Sequence, residues 1–359
     1  MYISQNYSFA ILRPLQAEVL RQGGEVKWFV EGKDVNKAYF HADESVLTDI
    51  DDVIGWQPDA VFVPGNVVPN FIPGLKVAVF HGFNAGKMNR RGREDHFEIR
   101  GCFDLYCTQG PNTTARFREL AELHRYFSVA ETGWPMVDPL FTPVQDNPYL
   151  DANDTRKTLL MCSTFSRNLS CAPHLLEQIK QFALDGKWRI LVQFHPKMDK
   201  HIVEQYQALQ GPNLTFVETD NVVPLLQAAD VMLCDTSSVL LMFLLLRKPV
   251  VTFRNQTGGA HLLNVEDADK VEAAIDYAMT SPQELMAKID AYCQELHPYQ
   301  DGHSSRRVLA AVANELANPA RKTTAKPLNL IRMMKLRKKL HYWKAFSGSK
   351  AKSHSSLPH

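Results

Sequence analysis

Signatures that would settle a chemistry at once are missing from this chain. It has no G-x-x-x-x-G-K-[ST] loop, no G-x-G-x-x-G turn and no G-x-S-x-G elbow. P-loop ATPase, nucleotide-dependent dehydrogenase and α/β-hydrolase chemistries are therefore disfavoured. The six cysteines (Cys102, Cys107, Cys162, Cys171, Cys234 and Cys293) show neither a C-x-x-C pair nor Cys/His metal spacing. Several sit in strand-like apolar runs, so reduced, buried thiols in a cytoplasmic protein are expected. No hydrophobic run is long: Val239 to Leu246 is far too short to cross a bilayer. The N-terminus lacks the basic and apolar regions of a signal peptide. A net charge of +1 gives no overall field for nucleic acid, and no nucleic-acid partner is expected. Acidic residues are absent from Arg321 to His359, where there are eleven Lys or Arg.

What is present is a repeating alternation. At 359 residues and 45% hydrophobic, the chain is long enough for two domains. Short apolar strands are expected at Tyr2 to Ser4, Val26 to Val30, Asp59 to Val63, Lys76 to Phe80 and Asp104 to Thr108. Gln5 to Ala10 reads as a loop; helices are expected at 13–21 and from about 113 to 123. A linker rich in Pro, Asp and Asn between Pro139 and Thr155 precedes a second alternation. Its strands are 158–162, 189–194, 214–217, 231–234 and 249–253; its helices are 174–184, 199–209, one whose first turn carries Ser237 and Ser238, 266–279 and 282–295. The expected architecture is α/β: two Rossmann-like doubly wound domains facing a cleft, 1–145 and 155–318. Ligands of such sheets bind at the carboxyl ends of the strands.

The character changes at Pro327. Leu328, Leu330, Ile331, Met334, Leu336, Leu340 and Trp343 alternate with Arg332, Lys335, Arg337, Lys338, Lys339 and Lys344. A basic amphipathic helix over 326–346 fits this spacing, and an anionic membrane surface is its expected partner. The bland alternative is a C-terminal helix docked on the protein. Residues 347–359 read as a disordered tail.

Four polar spots fall where strands end. His81, followed by Gly82, Asn84 and Lys87, offers a general base and acceptor-side groups. His195-Pro196-Lys197 places a histidine and a lysine at a helix entrance, where both could meet phosphate. Ser163, Thr164 and Arg167 offer hydroxyls and a guanidinium. Asp235-Thr236-Ser237-Ser238 follows a buried strand and opens a helix, a natural anion seat, although the same residues could simply cap the helix. No spot has metal-ligand spacing, so neither metal nor cofactor is expected.

In order along the chain, these spots resemble the CDP-glycerol glycerophosphotransferase family of teichoic-acid-type polymer synthesis. The matching runs are Val79-Phe80-His81-Gly82, Thr132-Gly133-Trp134-Pro135-Met136-Val137-Asp138, Phe194-His195-Pro196, Ala229 to Ser238 with Lys248-Pro249, and Asp301-Gly302-His303-Ser304-Ser305-Arg306-Arg307-Val308. The resemblance implies a GT-B-like fold and a CDP-activated donor held mainly by the second half. It implies His81 as catalytic base, and His195, Ser237 and Ser238 as the diphosphate seat. The acceptor would be a glycan or lipid-linked hydroxyl, and the protein would sit peripherally on the cytoplasmic face of the membrane. The chain departs from the family's usual pattern at Phe83 to Lys87, Thr236, Met242 and Met136. A CMP-sugar glycosyltransferase is the nearest rival; a UDP-sugar 2-epimerase and an inactive scaffold are weaker ones.

Overall fold

A computed structural model describes residues 1–83, 86, 88, 92, 94–219, 221–318 and 324–343. The first half runs β1 (Tyr2–Ile3), α1 (Ser8–Arg21), β2 (Trp28–Val30), β3 (Val46–Leu47), α2 (Ile50–Trp56), β4 (Ala60–Val63), β5 (Leu75–Ala78), β6 (Leu105–Thr108), α3 (Pro111–His124) and β7 (Ser128–Glu131). Its strands are all parallel, in orders β1-β2-β3 and β4-β5-β6-β7, and β1 lies against β4. The second half runs β8 (Thr158–Ser163), α4 (Ala172–Asp185), β9 (Arg189–Phe194), α5 (Lys200–Gln207), β10 (Leu214–Phe216), α6 (Val223–Ala228), β11 (Val231–Cys234), α7 (Val239–Leu245), β12 (Val250–Phe253) and β13 (Leu263–Val265). Helices α8 (Val271–Met279), α9 (Gln283–Leu296), α10 (Ser304–Ala317) and α11 (Leu330–Lys339) complete the chain.

Parallel sheets are covered on both faces, so their strands are apolar throughout rather than alternating. All six residues of β8 and all four of β6 and β11 are buried, which is why these strands were legible. The edge strands β7 and β13 were not. β7 is half-buried along its length and β13 is three residues long, so neither carries a continuous apolar run. Helix α1 begins at Ser8, inside the stretch expected to be a loop. Ser8, Phe9, Ile11, Leu12 and Leu15 form one buried face there, and packing outweighs the weak local signal.

The second sheet has the order β10-β9-β8-β11-β12-β13, all parallel. The chain leaves β8 toward β9 and β10, then returns to place β11 on the other side of β8. This reversal opens a crevice at the carboxyl ends of β8 and β11, the usual ligand position in an open parallel sheet.

The last helices redraw the halves. Helix α10, counted with the second half from the sequence, packs against α1, β5 and β6 of the first. Its N-terminus is held by the junction segment. Asp138, on the 3-10 segment Pro135–Phe141, accepts from the backbone N–H groups of Ser304 and Ser305, both at 2.8 Å. Arg307 donates to Thr132 O at 2.8 Å and pairs with Asp301. Two of the runs that carried the resemblance, 132–138 and 301–308, therefore hold each other and act through the fold. Gly133 sits at φ +77°, and a Cβ there would lie 2.5 Å from Ser304 Oγ and 2.8 Å from His297 Nε2. One hydrophobic cluster runs from Leu12 and Leu15 through Trp134, Val137 and Leu140 to Leu225, Phe243 and Leu296, joining the two halves.

His297 lies inside this junction, fully buried, and its Nε2 accepts from Trp134 N–H at 3.0 Å. Burial pushes its pKa down to about 4. The unfolded chain therefore takes up this proton first, near the ordinary value of about 6.5, and folding stability falls as pH drops from there toward 4. Denaturant titrations at pH 7.5 and 4.5 should show the wild type losing about 2.5 kcal/mol more than His297→Gln, which cannot titrate. Equal losses in the two proteins would remove His297 as the cause.

Helix α11 docks by one face. Met333 and Leu336 are buried, Tyr342 stacks on Phe71 at 4.8 Å, Lys326 pairs with Asp104 and Lys339 pairs with Glu31. Arg332 and Asn329 donate to Arg100 O. The other face leaves Leu330, Ile331 and Met334 exposed, with Leu328 before them and Trp343 after. The basic segment thus docks on the protein and still presents an apolar face. Among the described residues no helix is long and apolar enough to cross a membrane. The proposed disordered tail, 347–359, and residues 344–346 of the basic segment lie outside the described residues.

Candidate active site

On the first half the site is built on a left-handed turn. β5 ends at Ala78, and two residues later Phe80 takes φ +59°. A bulky residue holds this conformation only when its surroundings force it. Here the Phe80 ring stacks on His96 at 4.9 Å and meets Phe117 edge-on, while its carbonyl accepts from Trp134 Nε1 at 3.3 Å. The turn delivers His81 to the surface. Its ring stacks on Tyr7 at 5.5 Å, and its Nδ1 lies 3.1 Å from Pro64 O. A carbonyl only accepts, so Nδ1 carries the hydrogen and Nε2 keeps its lone pair in the neutral ring. Gly82 O is held by Gln109 Nε2 at 3.0 Å. Burial, then the nearby His81, push the His96 pKa down to about 4.

On the second half His195 follows β9 and has the opposite arrangement. Its Nδ1 accepts from the backbone N–H of Lys197 at 3.0 Å. An N–H only donates, so the neutral ring carries its hydrogen on Nε2 and offers a donor. Partial burial, then the charge of Lys197, hold its pKa below the ordinary histidine value. Phe165, exposed on the loop after β8, packs on His195 at 4.5 Å and under Lys197 Nζ at 5.8 Å. Sequence reasoning passed over Phe165; its place between Thr164 and Arg167 was the available signal. A cavity of about 440 Å³ opens beside His195, walled by Pro196, Val203 and Phe216 and edged by Glu218 and Thr219.

The crevice between β8 and β11 is organised by Asp235, which is fully buried. Its carboxylate accepts from Ser163 Oγ at 2.6 Å, Thr164 N–H at 3.1 Å and Cys171 N–H at 3.0 Å. Asn255 donates from Nδ2 to Asp235 O at 3.0 Å, which ties in the loop after β12. Asp235 and Ser163 were expected to touch the nucleotide. Both are turned inward and fully engaged, and a buried carboxylate facing a phosphate would repel it. Their part is to fix the loops that carry the neighbouring residues. Burial and Asp235 also push the Cys162 thiol up to about 12, and all six cysteines are buried and unpaired.

Helix α7 starts at Val239, two residues later than a first turn carrying Ser237 and Ser238 would require. Ser238 occupies the N-cap without a side-chain cap bond, and the Thr236 hydroxyl accepts from Gln256 N–H at 3.4 Å. The capping explanation for these hydroxyls therefore does not hold. Ser238 is exposed and Thr236 and Ser237 are half-exposed at the mouth of the crevice. Arg167, beside Asp199 at 3.4 Å, keeps a side chain 89% exposed at the same strand ends. Lys248 does not reach the site: its Nζ donates to the carbonyls of Leu226, Gln227 and Ala229 and closes the end of α6. Asn84 and Lys87 lie outside the described residues.

The arrangement brings Thr164, Arg167, His195, Lys197 and Thr236 to Ser238 to the carboxyl ends of β8, β9 and β11. His81 stands at the corresponding end of the first sheet. Comparison with known proteins bears out the family that the sequence resembles. The family model for CDP-Glycerol:Poly(glycerophosphate) glycerophosphotransferase matches residues 104–258. That range contains the His195 and Ser237 loops and begins after His81. A search of the curated proteins finds no match. Among solved structures, the wall teichoic acid polymerase TagF superposes with a TM-score of 0.61 at 15% identity, covering 89% of this chain and 88% of TagF. A substituted TagF soaked with CDPG gives 0.60 at 14% identity, covering 86% of each chain. A UDP-N-acetylglucosamine 2-epimerase gives 0.58 at 14% identity, covering 91% and 98%. These likenesses show the GT-B-like fold.

Proposed function

We propose that the protein transfers glycerophosphate from CDP-glycerol to a hydroxyl of a cell-surface polymer or glycan acceptor, with release of CMP. The observation that carries this reading is the opposite protonation of two strand-end histidines, one on each half. His81 presents a lone pair from Nε2, while His195 presents an N–H. In the transfer, the acceptor hydroxyl gives its proton to His81 Nε2, and its oxygen bonds to the β-phosphorus of the donor. The bond from that phosphorus to the oxygen of CMP breaks, and the electron pair leaves with CMP. His195 N–H, the Ser237 and Ser238 hydroxyls and the nearby Lys197 and Arg167 meet the charge that develops on the leaving phosphate. The match of the family model over 104–258 supports placing the donor on the second half.

The cavity beside His195 suits the base. Val203 and Phe216 give apolar faces, and the Glu218 carboxylate can accept from the exocyclic amino group of cytosine. Uracil offers a carbonyl at that position and leaves Glu218 facing another acceptor. Stopped and continuous assays of nucleotide release with CDP-glycerol, CDP-ribitol, CMP-sugars and UDP-sugars test the reading. Turnover with a CDP-polyol is expected; turnover with only a CMP-sugar, or only a UDP-sugar, would overturn it.

The same proposal places the protein at the cytoplasmic surface of the membrane, with a lipid-linked acceptor. Support comes from α11, which offers Leu330, Ile331 and Met334 outward among Lys335 and Lys338 while its other face is docked. Basic residues near an anionic bilayer contribute roughly 1 kcal/mol each. Leu330→Asp with Ile331→Asp should abolish sedimentation with phosphatidylglycerol vesicles and leave the thermal midpoint unchanged, because neither side chain is packed. Sedimentation that persists in this variant would remove the helix as the membrane contact.

A further inference from the structure

A second histidine grips the strained turn that delivers His81. His96 lies on the 3-10 segment Asp95–Phe97; its ring covers that of Phe80 at 4.9 Å and 16°, with the Phe117 ring edge-on at 5.9 Å. Its Nε2 is buried and, among the described residues, meets no hydrogen-bond partner. A buried polar atom left unmet is a cost, so the ring serves here by its flat face. Burial keeps that ring uncharged near neutrality. The segment that carries His96 is itself held by the C-terminal part of the chain. Arg100 donates to Asp95 Oδ1 at 2.7 Å, which ties the 3-10 segment to residue 100. The Arg100 carbonyl accepts from Asn329 Nδ2 at 3.1 Å and from Arg332 Nη1. Gly101 sits at φ +70°, and a Cβ there would collide with Pro327 Cγ and lie 2.8 Å from Asn329 Nδ2, so the two backbones meet closely. Lys326 pairs with Asp104 at 2.8 Å.

We propose that His96 is a positioning residue for His81, and that the seated C-terminal segment 326–332 holds His96 in place. The inference rests on the reading of His81 as the base. The links are continuous: Asn329 and Arg332 on Arg100, Arg100 on Asp95, the His96 ring on Phe80, and Phe80 directly before His81. Phe80 at φ +59° is an unfavourable conformation that persists only while its surroundings grip it. Released from His96, the turn relaxes toward negative φ, and His81 no longer aims Nδ1 at Pro64 O. Nε2 then loses both its fixed lone pair and its direction. The outward side chains Leu330 and Ile331 are exposed and take no part in this route. The segment thus serves the base with its docked face and, in the proposed function, the bilayer with the other.

Two readouts on the full-length protein test it. Spectra of ring-15N-labelled histidine at about pH 8, where an ordinary imidazole is neutral, report the His81 tautomer without substrate. CMP release from CDP-glycerol with a poly(glycerophosphate) acceptor, in the absence of vesicles, reports turnover. The wild type should hold the His81 hydrogen on Nδ1, and His96→Ala should show both tautomers. His96→Ala should also lower turnover by roughly ten- to a hundredfold, with donor affinity within about twofold of the wild type. His96→Phe keeps a flat ring and should restore both readouts. Asn329→Ala with Arg332→Ala frees the Arg100 carbonyl and should shift both readouts in the direction of His96→Ala. Adding His96→Ala to His81→Ala should slow turnover no further, because His96 acts through His81; a merely structural role would add to the loss. The proposal is overturned if His96→Ala leaves tautomer and turnover unmoved, if His96→Phe does not restore them, or if the two losses add. The part given to the C-terminal segment falls if the Asn329 and Arg332 variant matches the wild type. Failure of the donor reading looks different: the wild type releases no CMP under any condition, while the His81 spectra still decide whether His96 positions it.

Discussion

His81→Ala should lower the turnover of CDP-glycerol with acceptor by between about a hundredfold and ten-thousandfold, the range spanned by a positioned general base. Its affinity for the donor should stay within about twofold of the wild type, because the proposed donor seat lies at the ends of β8, β9 and β11 in the other half. The substitution is a clean one. The ring is exposed, and among the described residues it stacks on Tyr7 alone and its one hydrogen bond ends on a backbone carbonyl, so the turn at Phe80 keeps its supports. Single-turnover nucleotide release and equilibrium titration with CDP-glycerol separate the two quantities. Loss of donor affinity with unchanged turnover at saturation would place His81 in binding and not in proton transfer.

Asp235→Ala should act through the fold. The substitution removes the acceptor shared by Ser163 Oγ and Cys171 N–H in the protein interior and by the part-buried Thr164 N–H. Stranding buried donors that had been paired to a carboxylate costs about 3–5 kcal/mol. Urea denaturation should show a loss of that size. Donor affinity measured under conditions where the variant is still folded should fall as well, because the loops after β8 and β11 lose their common anchor. Asp235→Asn keeps the volume and one carbonyl oxygen, and should lie between the variant and the wild type. If Asp235→Ala left stability intact while weakening donor affinity, the carboxylate would be a ligand and not a clamp.

The two aspartates of this architecture play parallel parts. Asp235 fixes the mouth of the crevice, and Asp138 fixes the start of α10 through the N–H groups of Ser304 and Ser305. Each lies in a run that carried the resemblance to the glycerophosphotransferase family, and each works on other residues. The groups to which the proposed reaction assigns substrate contact are ones that the folded chain leaves at least partly exposed: His81, His195, Ser237, Ser238, Arg167 and Lys197.

Sequence by itself was enough for the α/β class, the two alternating halves and the histidines at the strand ends. β8, β9 and β11 each carry an apolar run because both faces of a parallel sheet are covered, and that composition is local information. A polar cluster directly after such a run falls in a carboxyl-end loop, so the place of these clusters in the fold could be read from position alone. What tertiary structure decided is which polar atoms are spent on the protein. Ser163 and Ser237 look alike in sequence, yet one is closed on Asp235 and the other stands at the crevice. The tautomers of His81 and His195 depend on Pro64 O, seventeen residues away, and on the local Lys197 N–H. The return of α10 onto the first sheet, and of Lys339 onto Glu31 across 308 residues of chain, leaves no mark on local composition. Pairings of that range are set by the packed fold, where burial makes an unmet hydrogen bond costly and so fixes who meets whom.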